Sequence, residues 1–158
     1  MNRMLKLSLA VAAVSLIAAP APAQTKDAVI GTWALNLAKS TYDPGPAPKS
    51  AKRTYSMSGT MVKSVVVSVD AAGKSTTGGY TAAYDGKDYP ITGNATADMI
   101  SLKRVNGNTI DASLTKGGKE MSHSHRVIAM DGKTMTITTT GTGAKGEKIN
   151  NVAVFDRK

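Results

Sequence analysis

The chain has 158 residues, no cysteine, one tryptophan, one phenylalanine and a formal net charge of +9. Without cysteine there is no disulfide, no thiol redox chemistry and no thiolate metal site. Its 20 Lys and Arg are scattered, with no basic block and no interleaved aromatics, so a nucleic-acid partner is not expected.

Met1–Lys6 carries Arg3 and Lys6, Leu7–Ala19 is an apolar run, and Pro20 breaks it before Ala21-Pro22-Ala23. This is the layout of a secretory signal peptide, residues 1–23, cleaved after Ala23. The apolar run falls short of the roughly 20 residues needed to span a bilayer, so no stable membrane span is expected after cleavage. Residues 24–158 are then one domain, periplasmic or secreted and expected to be a monomer.

That domain shows period-two alternation broken by turn pairs, with little helical periodicity. Val29–Leu37 places Trp33, Leu35 and Leu37 on one face. Ala38–Lys49 holds Pro44, Pro46 and Pro48, which forbid a strand ladder; one helical turn near Leu37–Tyr42 fits there. Ala51–Met57 and Met61–Val69 form a hairpin across Ser58-Gly59, with Val65, Val67 and Val69 making a β-branched face.

Lys74–Tyr84 follows, with Tyr80, Ala82 and Tyr84 on one face. Its Gly78-Gly79 pair suits a bend or bulge of a closing barrel. Asp85-Gly86 reads as a tight turn into a short Lys87–Ile91 strand, bent or at an edge because of Pro90. Ala97–Val105 and Asn108–Lys116 flank Asn106-Gly107, with Ile100 and Leu102 opposing Ile110, Ala112 and Leu114. Lys119–Met130, Lys133–Thr140 and Glu147–Arg157 complete nine or ten strands. Nearly all are joined by short turns, so sequence neighbours are spatial neighbours. Closure removes the two exposed edges of such a sheet. The expected fold is all-β, a single up-and-down antiparallel barrel of 8–10 strands.

Gly31-Thr32-Trp33 resembles the opening of the lipocalin and fatty-acid-binding (calycin) superfamily. Leu35-Asn36-Leu37 and the polar Lys39-Ser40-Thr41-Tyr42-Asp43 are similar to the start of fatty-acid-binding barrels. The stretches Tyr84–Asn94 and Asn150–Arg157 resemble a group of exported bacterial lipocalin-like proteins. The resemblance implies that Gly31 and Trp33 close one barrel end and that a late-strand arginine, Arg157 or Arg126, packs over the tryptophan. Phe155-Asp156-Arg157 does not supply the Arg-x-Tyr carboxylate clamp of fatty-acid-binding barrels.

Alternation puts Arg126 on the face of Ile128 and Met130. It is either a cavity anion receptor or a rim arginine reaching to water. Arg53, with Tyr55 and Met57, and Arg104, with Ile100 and Leu102, are further candidates for an interior cation. Tyr80, Tyr84 and Tyr89 cluster near Asp85-Gly86, either lining a cavity mouth or packing across strands. These six, Arg126, Arg53, Arg104, Tyr80, Tyr84 and Tyr89, are the candidate ligand-binding residues.

His123 and His125 share the other face, with Glu120 turned away. Two ligands fall short of a zinc site, so no metal and no cofactor is expected. There is no Gly-x-Ser-x-Gly elbow, no close acid pair and no phosphate-binding glycine loop, so no catalytic residue is assigned. The leading function is binding of a small apolar or amphipathic ligand inside the barrel. A ligand-free envelope or protein-interaction module is the alternative, and an enzyme on this barrel is more remote. A cavity of a few hundred Å³ containing an arginine separates the first from the others.

Overall fold

The computed structural model describes residues 27–143 and 145–158, so the signal peptide expected at 1–23 lies outside the described residues. Ten strands run in chain order: β1 (Gly31–Leu35), β2 (Ser50–Ser58), β3 (Met61–Val69), β4 (Ser75–Ala82), β5 (Asp85–Thr92), β6 (Met99–Arg104), β7 (Thr109–Lys116), β8 (Lys119–Ile128), β9 (Thr134–Thr142) and β10 (Lys148–Arg157). Each pairs antiparallel with its sequence neighbours, and β1 also pairs with β10, closing an up-and-down barrel. A 3-10 turn, Leu37–Lys39, follows β1. Among the described residues no helix is long and apolar enough to cross a membrane.

The barrel is filled at one end. Trp33, Val62, Ala82, Leu102, Ile110, Ile128, Met135 and Phe155 are buried and form one contiguous core. Trp33 sits at the centre of β1, opposite Arg157 of β10 and Arg53 of β2. Its Nε1 donates to the Val29 carbonyl oxygen at 2.8 Å, which ties the entering chain across that end. Arg157, of the two arginines considered, lies over the indole with its guanidinium carbon 4.1 Å from the ring centroid. It also donates to the carbonyls of Ala28 (2.6 Å), Ile30 (2.7 Å) and Gly132.

Gly31 makes room for this stack. Its φ is +137°, and a Cβ there would lie 2.6 Å from Arg157 Nη1. The opening glycine is therefore needed both for its backbone conformation and for the close approach of the guanidinium.

Several local expectations change. Asp85-Gly86 is not the turn: the chain reverses at Ala83–Tyr84, and Asp85 and Gly86 belong to β5, where a bulge interrupts its register with β6. β5 is thus longer than Lys87–Ile91. Its ladder to β4 holds only Gly79↔Thr92 and Tyr80↔Ile91 and stops at Pro90, which has no N–H to offer. Val65, Val67 and Val69 point outward, Val65 being exposed. The inward residues of β3 are Val62, Ser64, Val66 and Ser68, because the upper barrel interior is partly polar. Met130 is 93% exposed, beyond the end of β8, and Leu37 and Met57 are also exposed where an inward face was expected.

Candidate functional site

Above the filled end lies a cavity of about 350 Å³ that opens toward the β3–β4, β5–β6, β7–β8 and β9–β10 turns. Alternation delivers its walls. On β8 the inward residues Ser122, Ser124, Arg126 and Ile128 are all buried, so the strand passes from polar to charged to apolar with depth. β5, β6 and β7 supply an apolar side through Ile91, Ile100 and Leu114.

Arg126 is the central feature of the floor. It is 4% exposed. Its Nη2 donates to Tyr80 Oη at 3.3 Å, and its guanidinium carbon lies 5.0 Å from the Tyr55 ring centroid. Its Nε and Nη1 are buried with no hydrogen-bond partner. Arg53, from β2, lines the same cavity, stacks 5.4 Å from the Phe155 ring centroid and also leaves its Nε without a partner. Among the described residues no carboxylate pairs with either arginine, and none lines the cavity.

The tyrosines register these charges. Burial pushes the Tyr55 phenol up, but the facing Arg126 and Arg53 guanidiniums outweigh it and hold its pKa below the usual tyrosine value. For Tyr80 burial prevails over Arg126, and the pKa is raised. Burial also works against the charge on Arg126 itself. Tyr55 and Tyr80 work for it, and the balance lies above the ordinary arginine value, so the cation is permanent.

Arg126, Arg53 and Tyr80 therefore meet at one cavity, and Arg104, Tyr84 and Tyr89 do not. Arg104 forms an ion pair with Asp27 and stacks on Tyr84 at 4.0 Å. Tyr84 donates to Asp27 Oδ2 at 2.8 Å, so these three side chains fasten the entering chain at the filled end. Burial, with the Asp27 hydrogen bond, drives the Tyr84 pKa upward. Tyr89 donates to Asp85 Oδ2 at 3.0 Å; this hydrogen bond raises its own pKa. Backbone donation from Lys87, followed by this bond, lowers that of Asp85.

Tyr55 was grouped with Arg53 by alternation but not singled out, although its ring faces Arg126. Tyr42 was treated only as part of an irregular connection. Burial raises its pKa, and the nearby Arg53 charge opposes that. What brings it near Arg53 is the pairing of Thr41 with Val152, which a proline-rich stretch does not announce.

His123 and His125 lie on the outer face as expected, but they are not without a carboxylate. Asp111 of β7 reaches His125 Nδ1 at 2.6 Å. Among the described residues no group of three or more His, Cys, Asp or Glu is placed to hold a metal ion.

No protein-family model and no curated protein sequence matches this chain. Among solved structures it is similar to the zebrafish ileal bile acid-binding protein complexed with cholic acid, with a TM-score of 0.49 and 12% identity. The likeness covers 83% of this chain and 99% of that one.

Proposed function

We propose that this protein is an exported, monomeric binding protein, working in the periplasm or outside the cell. It holds one small amphipathic molecule in the barrel and has no catalytic role. One observation carries the reading: Arg126 is buried at the floor of a cavity of about 350 Å³ with no acid beside it and two guanidinium nitrogens unpartnered. A buried charge without a counter-ion costs several kcal/mol, and a fold needing only an apolar core would not retain it. A ligand whose anionic group meets Arg126 supplies the missing partner, and the apolar side formed by Ile91, Ile100 and Leu114 receives the rest of it. Arg53 and Tyr80 complete the polar floor.

The test compares hexyl sulfate with the uncharged hexyl glucoside by isothermal titration and thermal melting. The sulfate should bind and raise the melting temperature in wild type, and not in Arg126→Met. The glucoside should do neither. Binding of both alike, or of neither, would overturn the reading.

A further inference from the structure

Resting on that reading, the cavity specifies the charge of the ligand. Two guanidiniums, Arg126 and Arg53, border one space. Among the described residues no carboxylate borders it. A single negative charge would neutralise Arg126 and leave the half-buried Arg53 at the same cavity without a counter-charge. The unpartnered groups also number more than a carboxylate uses. Arg126 Nε and Nη1 and Arg53 Nε have no acceptor. Those three nitrogens carry four N–H groups on two separate guanidiniums, which suits a head with three terminal oxygens better than one with two.

We infer that the ligand is an amphipathic phosphate monoester, bound as the dianion, with Arg126 taking one charge and Arg53 the other. Arg126, deeper and fixed by Tyr80, is the anchor for any anion. Arg53, half-buried and stacked on Phe155, distinguishes two charges from one.

Hexyl phosphate and hexyl sulfate separate charge from shape, because both present three terminal oxygens on the same tail. The phosphate takes its second charge with a pKa of about 6, whereas the sulfate stays singly charged. Titrations from pH 5 to pH 8 should show hexyl phosphate affinity rising about tenfold while hexyl sulfate stays flat. The sulfate also reports any titration of the groups facing the arginines, Tyr55, Tyr80 and Tyr42.

Arg53→Met should abolish the rise while keeping sulfate binding, and Arg53→Lys should preserve it. Inorganic phosphate is the remaining arm. If it shows the same rise and binds as tightly as the ester, the dianion assignment stands with free phosphate as its source. Equal, pH-independent binding of the two esters would overturn the inference and leave the anion-binding reading intact. A rise that persists in Arg53→Met would overturn it as well. Failure of both esters to bind would remove the anion-binding reading together with the inference.

Discussion

Replacing Arg126 by methionine should stabilise the protein. The side chain is 4% exposed, so the wild type carries the desolvation cost of a buried cation, several kcal/mol after relaxation. Against that stand one long hydrogen bond to Tyr80, 3.3 Å, contributing about 1.5 kcal/mol, and the face of Tyr55 at 5.0 Å, contributing about 1 kcal/mol. The two tyrosines offset the charge fully only as phenolates, so near neutral pH the burial cost is larger. Methionine fills a similar volume without charge, for a net gain of about 1–2 kcal/mol. In a domain of this size that raises the melting midpoint by about 3–8 °C in the absence of ligand. Circular dichroism melts of the purified protein measure it. Arg157→Met is the matched comparison: it removes donation to three backbone carbonyls and the stack on Trp33, and should cost about 3–5 kcal/mol. If Arg126→Met instead melts several degrees lower, the guanidinium is a structural tie like Arg157, and the case for a ligand-directed cation fails.

Gly31→Ala should lower stability by about 2–3 kcal/mol, since it combines a φ of +137° with a methyl group pressed on a guanidinium pinned by three carbonyls; denaturant titration reads the change in midpoint. Gly93→Ala places a methyl group against the Thr77 carbonyl and the Gly78 Cα beside the two-residue β4–β5 ladder. Amide exchange at Gly79–Tyr80 and Ile91–Thr92 should then accelerate more than exchange in β7–β8. The raised pKa of Tyr84 stabilises the fold fully below the ordinary tyrosine value of 10.0, and this contribution is lost as pH rises above it. Tyr84→Phe should therefore be less stable at neutral pH and lose less stability on going above pH 10; equal slopes for the two proteins would contradict that assignment.

Much of the architecture was legible because strand alternation and turn pairs are local signals. Ile100 and Leu102 do oppose Leu114 and Ala112, and Arg126 does enter with Ile128. The inward face of β3 was not legible, for a physical reason. β-branched residues mark strands without marking which face is inside, and a partly polar cavity turns Ser64 and Ser68 inward while leaving Val65 exposed. The same ambiguity affected the arginines. Arg53, Arg104 and Arg126 look alike along the chain, and only the tertiary fold brings Asp27 to Arg104 while leaving the other two without an acid. Asp111 reached the histidines unannounced for a similar cause: it lies on the neighbouring strand, 14 residues from His125. Asp85-Gly86 carries a strong turn signature, yet glycine's positive φ, +76° here, serves a bulge as readily as a turn.

The central claim is that the unpaired cation at the cavity floor exists to meet an anionic guest. Native mass spectrometry of the protein recovered from its own cells without unfolding, wild type beside Arg126→Met, tests it most directly. The account predicts a one-to-one small-molecule adduct on the wild type, released as an anion on activation and missing from the variant. A wild-type spectrum of bare protein alone, or the same adduct on both proteins, would contradict it.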